Sequence, residues 1–301
     1  MVHYSDTNFL GRLHGGEMLK QLVDTGMLAA MKVSRSLAII ASLDEVELKK
    51  GINLGDIIIL RAQVDYIGKS SMEVQIRAYR NDEEMVRATA AYVKVDDFLK
   101  PVPINEKIEP KDENERLIYE EALRRRLKRL EIIKDKELLR FSERSLIEGL
   151  RYRVSNLVYV SPELTYNGQI ISAGKLLKLM DEVGGILALN FIGHPLNTED
   201  NVVTVAISTT PFLTPVRLGE ILEINSGLAY VGNTSITVLL DVVKIDPKTW
   251  RRERVTFSYF TYVRIDRNGK PRKVPEYTPI TEEEKRLYFE ILKKRKISNL
   301  V

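Results

Sequence analysis

The sequence predicts an α+β protein built twice over, with two copies of a curved antiparallel sheet, each wrapped around one long apolar helix. Three observations predict it. Short segments recur at one spacing: Leu54-Gly55-Asp56-Ile57 returns as Leu218-Gly219-Glu220-Ile221, and Tyr66-Ile67-Gly68 as Tyr230-Val231-Gly232, since 219 − 55 and 232 − 68 both give 164. A period this long marks duplicated domains rather than a solenoid of small units. Each copy opens on a loop and a helix that is apolar on nearly every face and so must be covered all round. Segments rich in Val, Ile and Tyr follow each helix, and Glu73-Val74-Gln75-Ile76-Arg77-Ala78 alternates with the period of a strand.

In the first copy Gly15 to Met31 reads as the helix, and Leu37 to Leu43, Ile57 to Tyr66, Met72 to Tyr79 and Met85 to Val95 read as strands. In the second, Gly174 to Phe191 is the helix, with strands near Val202 to Thr209, Ile221 to Tyr230, Ser235 to Val243 and Arg252 to Ile265. The expected divisions are a first domain over 1–103, a charged helical connection over 104–157, a second domain over 158–270 and a C-terminal charged helix over 271–301. The charged stretches, Glu115 to Arg129 and Glu282 to Lys296, belong to the repeat, because Tyr119, Leu123 and Arg126 reappear as Tyr288, Leu292 and Arg295. Acids precede bases in both by one or two turns, which suits the helix dipole and i, i+4 pairing. They are therefore read as solvated helices packed on their domains rather than as a nucleic-acid groove, despite a net charge of +4. A lesser reading gives them the phosphates of an anionic ligand.

Composition narrows the chemistry. The 301 residues, 44% apolar and 29% charged, suit two soluble domains of ordinary size. No apolar run approaches the roughly 20 residues that span a bilayer, and no signal-peptide pattern opens the chain, so a cytoplasmic protein without membrane insertion is expected. Cysteine is absent, which removes disulfides, thiolate nucleophiles and cysteine-ligated zinc. The three histidines, His3, His14 and His194, lack helical ligand spacing, so no metal site is expected.

Three motifs occur in combination. Asn8 to Gly16 reads Asn-x-x-Gly-x-x-His-Gly-Gly, a later helix carries Met180-Asp181-Glu182, and Gly68 and Gly232 each begin Gly-x-[Ser/Thr]-Ser-x-x-Val. Together they resemble the hotdog-fold acyl-CoA thioesterases, in particular the tandem two-domain members, over about residues 3–100 and 160–266. The resemblance implies a double hotdog fold and hydrolysis of acyl-CoA to free fatty acid and CoA. It implies no metal or organic cofactor, CoA being part of the substrate, and a homo-oligomer, commonly of three two-domain chains. In such proteins an acid on one subunit's helix faces the Asn and the Gly-Gly helix start of the other. Family segments like the turns at Gly68 and Gly232 lie near the pantetheine arm and nucleotide, which makes Lys69, Ser70, Asn233 and Thr234 substrate-binding candidates together with His14. The same turns read equally well as hairpin geometry.

Aligning the helix-start glycines Gly16 and Gly174 places Asp181 (174 + 7) opposite Val23 (16 + 7), and the strand offset of 164 places Thr204 opposite Ile40. The first copy has lost the acid and its hydroxyl neighbour, but it keeps His14-Gly15-Gly16 where the second has Ser172-Ala173-Gly174. One competent site per chain is expected, with Asn8, Gly15 and Gly16 from the first domain and Asp181 and Thr204 from the second. Thioester hydrolysis passes through a tetrahedral oxyanion, for which free N–H groups at a helix N-terminus are ready donors. Glycine at 15 and 16 would leave the backbone open to the carbonyl. Asp181 could activate water or attack directly to give a mixed anhydride, and the residues alone do not choose. Asn8 would polarise the carbonyl or hold the water, and Thr204 would bond Asp181 or that water. Asn167, which has no acid to face, is expected to cap a turn. A non-catalytic acyl-CoA-binding or sensing protein is the alternative, and a hydratase or dehydratase ranks last because no histidine accompanies Asp181.

Overall fold

Hydrophobic patterning and the repeat lead to the same chain trace in both halves. The computed structural model describes residues 1–8, 10–48, 50–137, 139–141, 144–193 and 200–298, and His194 lies outside them. Helix α1 (Gly15–Ser34) precedes strands β1 (Ala38–Leu43), β2 (Val46–Glu47), β3 (Ile59–Ile67), β4 (Ser71–Arg80) and β5 (Glu83–Lys94). Helix α2 (Glu113–Glu137) and strand β6 (Arg153–Tyr159) lead to α3 (Ala173–Phe191), β7 (Asn201–Ile207), β8 (Thr210–Pro211), β9 (Ile221–Val231), β10 (Ser235–Ile245), β11 (Arg252–Ile265) and α4 (Glu282–Ser298).

The strands form two antiparallel sheets, ordered β3-β4-β5-β1-β8 and β2-β7-β11-β10-β9-β6, so the fold is a tandem hotdog. The halves exchange edges: β8 of the second half pairs with β1, and β2 of the first pairs with β7. Neither exchange was legible in the sequence, because a two-residue strand carries no period. Strand β6 begins at Arg153, inside the stretch expected to be connection, and pairs with β9.

One apolar core runs through both halves, from Leu19 and Leu22 on α1 to Leu176 and Met180 on α3. The helices are not covered all round, as their composition suggested. Each has its own sheet on one side and the other helix on a second, and Leu28 (58% exposed) and Ile186 (53%) face out on the third. The helices meet closely: a Cβ at Gly174 would lie 2.8 Å from the Lys20 carbonyl oxygen, and one at Gly16 would lie 2.9 Å from Lys178 Cα. Lys178 adds an ion pair to Glu17 across this contact at 3.0 Å.

The charged helices pack on the sheets. Arg129 of α2 reaches the buried Glu73 and Asp44, each at 2.7 Å. Arg126 stacks over Tyr66 and Arg295 of α4 over Tyr230, the same contact in each half. On the second sheet alone, Ile147 and Leu150 cover the outer face against Gly227.

Candidate active site

Two equivalent places exist, one at the start of each long helix, and the structure shows how differently they are built. The register is pinned by a tyrosine pair absent from the motifs. Tyr92 donates to the Val23 carbonyl at 2.8 Å, and Tyr262 donates to the Asp181 carbonyl at 3.1 Å. Tyr92 pairs across its sheet with Ile40, and Tyr262 with Thr204. Val23 is thus the structural counterpart of Asp181, and Ile40 that of Thr204. The recurrence of Tyr-Val at 92 and 262 was the sequence signal for these tyrosines.

At the first helix start, the N-cap residue is His14, whose side chain makes no cap hydrogen bond. The helix N-terminus is capped instead by the other half. Asp181, with its side chain wholly buried, accepts from the Gly16 N–H at 2.6 Å through Oδ2 and from the Thr204 hydroxyl at 2.6 Å through Oδ1. A carboxylate satisfies both the orphan N–H and the positive end of the helix dipole. The glycines admit it. A Cβ at Gly15 would come 2.5 Å from Thr204 Cβ, and one at Gly16 would come 2.9 Å from Asp181 Cβ. Their smallness therefore serves the approach of Asp181 and Thr204.

The N–H groups of this first turn are unequally committed. That of Gly16 is held by Asp181, and that of Glu17 donates to the His14 carbonyl at 3.1 Å. The Gly15 N–H has no protein acceptor among the described residues and lines the cleft. Asn8 lines the same cleft. Its side-chain oxygen accepts the N–H groups of Leu10 (3.0 Å) and Arg12 (3.2 Å), which leaves the amide nitrogen as a donor. Asn167 accepts from Gln169 and Ile170 in the same way, at 3.1 and 3.3 Å, and so caps its turn.

His14 lies over the acid, its Nδ1 3.1 Å from Oδ2 but outside hydrogen-bond geometry. Burial pulls the imidazole down, and the adjacent Asp181 carboxylate, with Glu182 beyond it, overcomes this and holds His14 above its ordinary value. Asn8, His14, Gly15, Asp181 and Thr204 share one cleft of about 720 Å³ between the halves, walled by apolar side chains such as Met18, Val86 and Leu189. Lys69, Ser70, Asn233 and Thr234 do not line it. They sit in the β3–β4 and β9–β10 turns, where their carbonyls accept from Ile104, Lys94, Val274 and Arg264 respectively. Among the described residues no cluster of His, Asp and Glu could hold a metal ion.

The second helix start is capped differently. Ser172 is its N-cap, accepting from the Lys175 N–H at 3.2 Å and donating to Asp24 at 3.2 Å. Burial raises the Asp24 carboxyl above its ordinary value, with Lys20 opposing. The cavity here measures about 220 Å³ and presents Val23 and Ile40 where the larger one presents Asp181 and Thr204.

Comparison with known proteins agrees with this architecture. A family profile described as the thioesterase superfamily matches residues 10–86 and 168–250, together more than half of the chain. A rat protein named cytosolic acyl coenzyme A thioester hydrolase is 27% identical over 307 residues, spanning 95% of this chain and 78% of the relative. A Bacillus subtilis protein described as an uncharacterized acyl-CoA thioester hydrolase is 32% identical over 125 residues, 42% of this chain and 69% of its own. Among solved structures, a putative oleoyl thioesterase from Lactobacillus plantarum superposes with a TM-score of 0.55 at 10% identity, covering 91% of this chain and 94% of that one. At that identity the likeness bears on the fold alone.

Proposed function

This chain belongs to the thioesterase superfamily, and on that premise we propose that it hydrolyses acyl-CoA thioesters to free fatty acid and CoA at one site between its halves. The supporting observation is the buried Asp181 carboxylate, held at 2.6 Å by Gly16 of one half and by Thr204 of its own beside an unspent N–H at Gly15. The substrate carbonyl lies against the Gly15 N–H and the Asn8 amide, which stabilise the oxyanion as it forms. Asp181 takes a proton from water, whose oxygen adds to the carbonyl carbon. Collapse of the tetrahedral intermediate breaks the C–S bond, and the proton passes to the departing CoA sulfur.

General-base action fits this geometry better than attack by Asp181. Both carboxylate oxygens already accept a short hydrogen bond, and each retains a lone pair that can take a proton from water without moving. Attack would bring one of these oxygens into covalent contact with the acyl carbon, whereas a base reaches that carbon through an intervening water with both hydrogen bonds kept. A single turnover in 18O-labelled water tests this: label recovered on Asp181 reveals a mixed anhydride opened at the enzyme's acyl carbon and refutes the base, and capture of an Asp181 hydroxamate by hydroxylamine reveals an anhydride whichever carbon water attacks.

The larger test is thiol release from acyl-CoAs of increasing chain length by the native protein, Asp181→Asn and Asp24→Asn. Removing the base should cost roughly 10²–10⁴-fold in kcat, and Asp24→Asn should cost far less. Acyl-CoA binding without turnover in the native protein would return the chain to the binding or sensing reading. A cytoplasmic location, in keeping with the rat relative's name, and assembly into a homo-oligomer belong to the same proposal. The exposed Leu157 and Tyr159 on edge strand β6 offer apolar surface for that assembly.

A further inference from the structure

We infer that Arg12 is an anion clamp at the rim of the cleft, taking an anionic oxygen group of the thioester substrate, either a phosphate of CoA or a carboxylate on the acyl chain. The inference rests on the reading of the cleft as a thioester site. Arg12 lines the same cleft as Asp181 and is partly buried there. Its guanidinium makes no ion pair and no side-chain hydrogen bond among the described residues. A planar group with five donors, held half out of water without an acceptor, is poised for one brought by a ligand. Lys50, which also lines the cleft, is already paired with Glu83 at 2.5 Å, and His14 lies against Asp181.

The guanidinium is also held in place. Its nitrogens lie where a Cβ at Gly51 would stand, 2.8 Å away, and where a Cβ at Gly269 would stand in the turn after β11. The two glycines come from opposite halves and form a slot that an arginine fills. Gly269 has φ +78° in a turn closed by Asp266, a conformation that favours glycine. On the inner side, the Arg12 N–H donates to the Asn8 side chain and its carbonyl accepts the Asn8 N–H, at 3.2 and 2.8 Å. The clamp is thereby built into the loop that orients Asn8, and an anion gripped by Arg12 is registered against the Gly15 N–H. Glu182 also lines the cleft, and no ion pair joins it to Arg12.

The test compares native protein, Arg12→Gln and Arg12→Lys on three thioesters: a straight-chain acyl-CoA, the same acyl group on N-acetylcysteamine, which carries no phosphate, and an ω-carboxyacyl-CoA. Loss of a charge-assisted bidentate contact should raise KM roughly tenfold or more in Arg12→Gln, with partial rescue by lysine. A rise seen with both CoA esters and much smaller with the N-acetylcysteamine ester identifies a phosphate as the anion. A rise confined to the ω-carboxyacyl ester identifies the acyl carboxylate. An equal loss on all three esters, falling on kcat, would mean that Arg12 only braces Asn8, and no change on any would leave it without a role; either result overturns the clamp. If the native protein hydrolyses none of them, the functional reading fails separately. Calorimetric titration with the same acyl-CoAs then still reads the clamp, and equal affinity of native and Arg12→Gln for both of them overturns it.

Discussion

Replacing Gly16 by alanine adds one methyl group and removes no polar atom, yet it should cost most of the activity. The added Cβ would stand 2.9 Å from Lys178 Cα, 2.9 Å from Asp181 Cβ and 3.1 Å from Asp181 Oδ2. Carbon atoms rest about 3.5–4.0 Å apart, so α3 must retreat by roughly 0.6–1 Å. The obstruction includes the α3 backbone, which no rotamer change relieves. The same retreat stretches the Gly16 to Asp181 hydrogen bond from 2.6 Å to the limit of useful length, about 3.2 Å or beyond. Misplacing a reacting group by about 1 Å costs on the order of 10²-fold in rate, and overpacking of this kind costs about 1–3 kcal/mol of stability. Gly174→Ala is the matched control, because its Cβ would meet Lys20 O at 2.8 Å, Asp24 Oδ1 at 2.9 Å and Lys20 Cα at 3.0 Å at the helix start that has Val23 in place of Asp181. Thermal unfolding should fall comparably in the two variants, while kcat for thiol release from acyl-CoA should fall sharply only in Gly16→Ala. Equal kcat losses in both, or a destabilised Gly16→Ala with native kcat, would refute the argument that this helix contact sets the position of Asp181.

Three further outcomes are expected. Thr204→Val removes the 2.6 Å hydroxyl contact to Asp181 and should lower kcat roughly tenfold to hundredfold with little change in KM, read in the same thiol assay. His14 is held above its ordinary value of 6.5 by Asp181 against the opposing effect of burial. Its stabilising contact is therefore fully present below pH 6.5 and lost as pH rises through the higher folded value. Loss of the imidazolium proton removes a cation competing with water for the carboxylate, so kcat/KM should climb through a step above pH 6.5, and His14→Gln should lack that step. Glu284 is buried and, despite burial pulling the other way, is held at about 2 by Arg151 and the N–H groups of Ile280, Arg151 and Thr281. A lowered acid stabilises the fold above its unfolded value of 4.5 and stops doing so as pH falls toward 2. Glu284→Gln should accordingly lose roughly 3 kcal/mol near neutral pH, as measured by denaturant unfolding, and the gap to the native protein should close in acid.

The sequence by itself determined the duplication, the two sheet-and-helix units and the positional contrasts of Val23 with Asp181 and of Ile40 with Thr204. These are periodicities and offsets, and each is carried by residues close together in one copy or by simple subtraction between copies. The charged helices were legible for the same reason, since their i, i+4 pairing is local. The tertiary structure decided how the polar groups are spent. Gly15 and Gly16 are alike in the sequence, but Asp181, from a helix 165 residues further on, takes the N–H of one and leaves the other open. Glycine at those positions, read from the sequence as room for a substrate, also makes room for a neighbouring helix and strand. Arg12 is an unmarked position of the Asn-x-x-Gly-x-x-His-Gly-Gly motif, and its place between Gly51 and Gly269, far apart in the chain, exists only in the fold. The β2 and β8 exchanges are too short to carry a pattern, and only the approach of the two halves creates them. In each case the deciding contact joins residues whose separation along the chain leaves no local trace, because hydrogen bonds and steric fit depend on positions that exist only once the halves have docked.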